Sequence, residues 1–369
     1  MKKILIVGAY FYPENTPRSF RTTELAKELA AQGNEVTVIV PKNAEVHDAF
    51  TAEHGFVIKD LGKISWKVPT PSGNVLKRLL LKVLARLGEQ FLYLPKLQFL
   101  SLANKALNQE SGYDLLISIA SPHSIHWGVE RQMRQRKQEL AKFWVADCGD
   151  PFMLADNLQY RRPFYLKYLE KRFCATADAI SIPFTGAKDG YYPAFRSKLV
   201  VIPQGFRFED VEVSKQSLVK NDVLSFAYAG SLVPRRRDPR ELLEYLLNQG
   251  VDFRFYIYAK RHKVVEDLAK QHPDKIILRN YVPRKDLLEH LSTLDFVVNF
   301  ENVGTTQSPS KLIDYAILDK PIMAVRYGAL QTDVVDEFCR QDYSNAYQVR
   351  DVDQYRIENV AAKFLELPG

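Results

Sequence analysis

The residue types best suited to binding chemistry stand where short polar stretches follow apolar ones. In NVGTTQSPSKLIDYA, Ser308, Ser310 and Lys311 mark the expected start of a helix. Unsatisfied N–H groups and the helix dipole make such a start an anion site suited to a diphosphate. Lys311 adds a charge, and Asp314 follows one turn later, placed to accept hydrogen bonds from a ribose. The same letters also describe ordinary capping, with Ser308 or Ser310 as cap and Asp314 complementing the first turn. A second cationic point is GSLVPRRRDP, where Arg235, Arg236 and Arg237 follow Gly230 at the end of an apolar run. Guanidinium groups grip phosphate oxygens bidentately, and a solvated basic turn has the same composition.

Candidates for proton transfer or hydroxyl binding lie earlier in the chain. His123 and His126 fall in SPHSIHWG, after an apolar run that ends at Ala120. A histidine there either takes part in chemistry or completes a local hydrogen-bond network. Asp147 and Asp150 flank Cys148-Gly149 behind another apolar run. Paired carboxylates can serve as a general base or hold acceptor hydroxyls. The alternative is that Asp150 caps the segment from Pro151 while Asp147 bonds loop amides. Arg18 and Arg21, beyond the first apolar run and its closing Gly8, are candidates for an acceptor phosphate or members of a solvated helix face.

These groups need elements to carry them. Residues 4–7 form a short apolar run, 20–31 have helical spacing, Gly33 closes that helix, and 36–40 are apolar again. Strand, loop, helix and strand make a βαβ unit. The alternation continues with strands predicted at 114–119, 143–146 and 179–182 and helices at 125–142 and 163–176. A second series begins at 224, with strands at 224–228, 253–258, 276–278, 296–300 and 322–325. Its helices are expected near 239–247, 264–271, 285–294 and 311–318. Two such series imply two doubly wound, Rossmann-like parallel sheets of the α/β class facing a cleft, each binding ligands at the carboxyl ends of its strands. The boundaries follow: residues 1–205 as a first domain, 206–222 as a linker, 223–350 as a second domain, and a C-terminal helix in 351–369 returning toward the first.

At 369 residues the chain is too long for one ordinary core, and 46% hydrophobic with 26% charged residues is the composition of a folded protein. A net charge of +7 points to an anionic partner: nucleic acid, an anionic membrane surface or a phosphorylated ligand. No nucleic-acid recognition motif supports the first. Three widely spaced cysteines, Cys148, Cys174 and Cys339, suit reduced structural thiols. The opening MKKILIVGAY resembles a signal peptide, but Gly8 interrupts it and no cleavage site follows. No apolar stretch has the length of a spanning helix, so membrane contact is expected to be peripheral and the location cytoplasmic. Such contact has a candidate in residues 75–94, where Leu76, Leu79, Leu80, Val83 and Leu87 share a stripe beside Lys77, Arg78, Lys82 and Arg86. That pattern describes a helix lying in a membrane interface or one packed on its own sheet.

SPSKLIDYAILDKPIMAV, residues 308–325, resembles the donor-binding helix of glycosyltransferase family 4, a Ser/Pro-Lys-aliphatic-aliphatic-Glu-Tyr-Met/Ala segment ending in Gly-Lys-Pro. Asp314 stands for its ribose-binding glutamate and Asp319 for its glycine. The family's second glutamate falls near Thr306, which is not acidic. GAYFYPENTPRSFRTTELAKELAAQGNEVTVIV is similar to the family's first unit. YDLLISIASP, WVADCGDPF, ADAISIPF and VVIPQGF follow in the family's order, and FAYAGSLVPRRRDPRELLEYL resembles the first unit of its donor domain. There Ser231 replaces a phosphate-binding arginine, and the three arginines fall where a lysine would.

The resemblance implies a GT-B glycosyltransferase moving a sugar from a nucleotide-diphosphate sugar to a glycan acceptor, expected to be lipid-linked, in surface polysaccharide assembly. It implies retention of anomeric configuration, no cofactor and no obligatory metal. Gly8, Gly230, Arg236, Arg237, Ser308, Ser310, Lys311 and Asp314 are then donor-binding residues, His123 and Asp150 catalytic ones, and Arg18 and Arg21 acceptor contacts. The replacements at Ser231, Thr306 and Asp314 leave an alternative: a catalytically inactive relative that binds glycan or scaffolds a partner. An NAD-dependent oxidoreductase is a further reading, but the loop GAYFYP lacks G-x-G-x-x-G.

Overall fold

The structure, a computed structural model, describes residues 1–14, 16–66, 74–155, 162–209, 221–301, 311–349 and 351–368. The chain divides into two compact units, residues 1–206 with 355–369 and residues 207–354.

In the first unit the order is β1 (Lys3–Gly8), α1 (Pro17–Ala31), β2 (Glu35–Val40), α2 (Ala44–His54), β3 (Val57–Asp60), α3 (Val75–Leu92), α4 (Gln98–Ala106), β4 (Tyr113–Ala120), α5 (Ser124–Leu140), β5 (Ala141–Cys148), α6 (Leu166–Thr176), β6 (Ala179–Ile182) and β7 (Leu199–Val201). The sheet is parallel throughout, ordered β3-β2-β1-β4-β5-β6-β7. Side chains alternate between its faces. Ile4 and Ile6 of β1 enter one apolar layer, Leu5 and Val7 the other. Burial on both sides explains why β1 reads as an unbroken apolar run.

The first helix begins at Pro17, three residues before the periodicity predicts, because Thr16 Oγ1 caps it by accepting the Ser19 amide at 3.1 Å. The expected strand 143–146 likewise extends to Ala141–Cys148. Neither α2 nor β3 was expected. Among the residues of α2 only His47 is buried, so its sequence carries almost no apolar stripe.

The second unit runs β8 (Leu224–Ala229), α7 (Arg240–Asn248), β9 (Phe253–Tyr258), α8 (Glu266–Gln271), β10 (Ile276–Arg279), α9 (Arg284–Ser292), β11 (Phe296–Phe300), α10 (Lys311–Ile317), β12 (Ile322–Val325) and α11 (Thr332–Cys339). Its five parallel strands are ordered β10-β9-β8-β11-β12. Phe226 stacks on Phe296 at 4.6 Å and on Phe255 at 4.7 Å, tying three neighbouring strands on one face. Leu287, Leu288, Leu291, Leu312 and Tyr315, from α9 and α10, cover the other.

The last helix, α12 (Ile357–Glu366), belongs to the first unit, where it packs beside α1. Its entry is pinned by Phe206, whose N–H donates to Tyr355 O at 2.8 Å and whose carbonyl accepts from Ile357 at 3.0 Å. Ile357, Val360, Ala361 and Phe364 join the layer that holds Ile4, Leu25 and Leu29. Burying Val360 and Phe364 fully stabilises this docking by roughly 1.5–3 kcal/mol each. Among the described residues no helix is long and apolar enough to cross a membrane.

Candidate functional site

In each sheet the strand order reverses once, and the crevice at a reversal is where open α/β sheets bind ligands. In the second unit it lies between the carboxyl ends of β8 and β11. Gly230 leaves β8 there, its N–H donating to Tyr258 O at 2.9 Å. A Cβ at Gly230 would fall 2.6 Å from Tyr228 Oη, so only glycine lets the chain pass the buried tyrosine. Tyr228 Oη donates to Ser231 O at 3.1 Å. Burial pushes this phenol up to about 12, against an opposing pull from Arg237.

The arginine turn is held by backbone. Val233 N–H donates to Arg237 O at 3.0 Å, and the buried Asp238 carboxylate accepts the Arg235 and Arg240 amides at 3.1 and 3.2 Å. Arg235 takes a left-handed conformation, with φ of 59°. Arg235 and Arg236 are exposed and Arg237 is half-buried. The arrangement is a fixed turn that presents cationic groups just past the strand end.

Across the reversal, α10 is fixed to β8 by Tyr315, whose buried hydroxyl accepts the Ala229 amide at 3.1 Å. Lys311, half-buried at the start of α10, approaches Asp314 Oδ2 at 4.0 Å. Asp314 is buried, and its Oδ1 accepts a hydrogen bond from Arg284 Nε at 2.9 Å, with Nη2 in ion-pair contact at 2.8 Å. The residue proposed for a ribose is therefore already held by a cation. Arg284, at the start of α9 just beyond β10, was not among the sequence candidates; its only signal was the position of PRKDLL after a strand. Ser308 and Ser310, with Thr306, lie outside the described residues.

In the first unit the reversal lies between β1 and β4. Gly8 ends β1, where a Cβ would meet Thr22 Oγ1 of α1 at 3.3 Å. Arg21 is turned inward. It is 2% exposed, donates to both oxygens of Asp147 at 3.1 and 2.8 Å, and gives Nη1 to Pro203 O. Ser181 Oγ also donates to Asp147, at 2.6 Å. Burial pushes the Asp147 carboxyl up, yet Arg21, Arg18 and Ser181 together hold it below the usual carboxylate range. Asp147 thus bonds arginines and not the loop amides expected of it.

Arg18 is more open, with 21% of its side chain exposed. Its Nη1 lies 3.6 Å from Asp147 Oδ2 and 3.4 Å from Ala120 O. A Cβ at Gly149 would sit 2.5 Å from Arg18 Cζ, so the glycine is what admits the guanidinium between the β4 and β5 loops. Asp150 is exposed beside it.

Both histidines are buried. Trp144 Nε1 donates to Ser118 Oγ at 2.8 Å, and Ser118 Oγ lies 2.7 Å from His126 Nδ1. With the indole donating, the serine proton is left for Nδ1, and Nε2–H points to Cys148 Sγ at 3.4 Å. Burial depresses His126 to about 3, so it is a neutral member of a satisfied network. His123 differs. Its ring lies 4.6 Å from that of Phe152, joining the β4 and β5 loops. Burial, then His126, Arg162 and Arg18, hold it well below the usual histidine value. Its Nε2 is buried with no hydrogen-bond partner among the described residues. A neutral imidazole with one nitrogen unused suits hydrogen bonding to a polar ligand better than acid catalysis.

Among the described residues no group of three or more His, Cys, Asp or Glu side chains is disposed to hold a metal. Cys148 and Cys174 are buried thiols, Cys339 half-buried, and none is in a disulfide.

No protein-family model matches the sequence, and no curated protein matches it. Solved structures do match in fold. A glycosyltransferase from Rickettsia africae is 12% identical with a TM-score of 0.61, covering 100% of this chain and 98% of its own. Anabaena HepE in complex with UDP is 12% identical with a TM-score of 0.62, covering 99% and 98%. The catalytic domain of starch synthase IV from Arabidopsis thaliana, bound to ADP and acarbose, is 10% identical with a TM-score of 0.59, covering 100% and 98%. With its seven- and five-stranded parallel sheets, the chain has the two-domain GT-B fold, shared along its whole length with these glycosyltransferases.

Proposed function

We propose that the protein is a glycosyltransferase that takes a sugar from a nucleotide-diphosphate sugar, the diphosphate lying at the β8/β11 reversal of the second unit. The observation that carries this reading is the bond from Ala229 to Tyr315, which ties the end of β8, where Gly230 and the arginine turn follow, to α10. Lys311, Arg236 and Arg237 then supply positive charge where the leaving diphosphate gathers negative charge. Ser308 and Ser310 belong to the same proposed site. UDP in the HepE structure and ADP in the starch synthase structure support the ligand class.

In the first unit, His123 offers its unused nitrogen to the transferred sugar or its phosphate, Asp150 is the candidate base, Gly8 gives close backbone approach, and Arg18 is the candidate contact for an acceptor phosphate. Arg21 is reassigned to hold Asp147. Transfer with retention, without an obligatory metal, onto a lipid-linked glycan at the cytoplasmic face of a membrane during surface polysaccharide assembly completes the proposal.

A second reading, a relative that binds glycan without turnover, is favoured by the pairing of Asp314 with Arg284, which occupies the carboxylate otherwise available to a ribose. Thermal-shift assays with UDP, GDP, ADP and NAD, followed by transfer assays on a crude lipid-linked acceptor pool, separate the readings. Stabilisation by a nucleoside diphosphate with product formation supports the transferase. Stabilisation without transfer or donor hydrolysis favours the non-catalytic relative, and stabilisation by NAD alone sinks both.

A further inference from the structure

Helix α3 turns its apolar side outward. Leu79, Val83, Leu87 and Phe91 recur every fourth residue, with Leu80 and Leu84 beside them, and all six are exposed, Leu79, Leu80 and Phe91 to 58–60%. The half-buried residues are Leu81, Ala85 and Gly88, on the opposite side. Packing on its own sheet, one of the two readings open from sequence, therefore does not account for the stripe.

Charge identifies the occupant. Arg78, Lys82 and Arg86 repeat every fourth residue along one edge of the stripe, and Lys77 borders the other. The helix has one acidic residue, Glu89, which faces Lys96 at 3.6 Å. Pairing two copies through the stripe would bring these basic rows together, whereas an anionic lipid surface complements them. The apolar surface continues at the helix end. Tyr165 Oη donates to Phe91 O at 2.7 Å, and its neighbours Phe164 and Tyr168 are 72% and 55% exposed. Aromatic rings beside basic side chains suit the headgroup layer.

We propose that α3 lies in the plane of an anionic lipid leaflet, the Leu79-to-Phe91 stripe among acyl chains and the basic rows on lipid phosphates. The seat is coupled to the rest of the unit. Tyr93, next after α3, is buried with its ring 5.6 Å from Trp127 of α5, and Ser124 Oγ donates to Lys96 O at 2.5 Å. Docking thereby holds the β4–α5 loop, with His123, near the membrane surface. That this delivers a lipid-linked acceptor rests on the transferase reading; docking itself does not.

The test is flotation of the full chain with vesicles of phosphatidylglycerol and phosphatidylcholine in equal parts, against phosphatidylcholine alone. The expected result is binding to the anionic vesicles, weakening as salt is raised. Val83→Glu/Leu87→Glu and Arg78→Glu/Lys82→Glu should each bind at least about tenfold more weakly, with unfolding transitions like the parent's because the altered side chains are exposed. Absence of binding by the parent, or parent-like binding by Val83→Glu/Leu87→Glu, overturns the proposal. So does a dimer that this variant abolishes in the absence of lipid binding, which assigns the stripe to a second copy. Flotation needs no turnover, so failure here and failure of transferase activity are read separately.

Discussion

Arg284 holds Asp314 by a hydrogen bond from Nε at 2.9 Å and an ion-pair contact of Nη2 at 2.8 Å to the same carboxylate oxygen, joining α9 to α10. The aspartate is buried and the arginine side chain 26% exposed, so the pair is only partly screened by water. Arg284→Ala leaves a buried carboxylate without its nearest cation, with only Lys311 at 4.0 Å, and is expected to lower stability by roughly 1–3 kcal/mol. Urea denaturation of the two single variants and of Arg284→Ala/Asp314→Ala measures it. The double variant should cost less than the sum, and full additivity would show that the two side chains do not interact.

A deeper pair sits in the first unit, where Arg21 and Asp147 are both buried. Arg21→Met should destabilise by about 3–5 kcal/mol, because Asp147 stays buried without its main counter-charge. The folded-state carboxyl titrates below its unfolded value of about 3.9, so its contribution is complete above that pH and is lost as the pH falls through the folded value. An Asp147→Asn variant should therefore be less stable at neutral pH and show a shallower loss of stability below about pH 4. A parent-like acid limb in that variant would refute the assignment.

The buried histidines act in a different pH window. Unfolded, His123 and His126 take up protons near pH 6.5; folded, burial keeps both neutral, His126 down to about 3. Protons therefore bind the unfolded chain first, and stability should fall as the pH drops below about 6.5, by up to about 1.4 kcal/mol per pH unit for each ring. Denaturation midpoints between pH 7 and 5 check this; the buried Glu170 carboxyl, pushed up to about 7 by burial, opposes the trend there, so the net slope is smaller than the two rings alone would give and His126→Gln should remove up to about 1.4 kcal/mol per pH unit of it.

Gly230 gives a local test of the β8 turn. Gly230→Ala forces a Cβ toward the Tyr228 hydroxyl, and the shift should cost about 1–3 kcal/mol. On the proposed function it also displaces the arginine turn, so thermal stabilisation by a nucleoside diphosphate should shrink. Intact stabilisation in a folded Gly230→Ala protein would place the ligand elsewhere.

Much of the scaffold was legible because strands buried on both faces, such as β1, read as unbroken apolar runs between helical stretches. The polar α2 offered no such pattern. Loop positions were legible too, placing Gly230, Lys311 and His123 after strand ends. Partnerships were not. Arg21 and Asp147 are 126 residues apart and Arg284 and Asp314 are 30 apart, and nothing in local spacing says that one cation will occupy a given carboxylate. The stripe of α3 was equally visible, but its direction was hidden, since a helix facing a sheet and one facing lipid share a periodicity.

The central claim is that a nucleoside diphosphate binds beside Lys311, and isothermal titration of UDP and GDP into the parent and Lys311→Ala tests it most directly. Binding by the parent, weakened by roughly 1.5–3 kcal/mol in the variant, is the predicted result, the scale of one charged hydrogen bond. No binding of either nucleotide, or equal affinity in the two proteins, would contradict it.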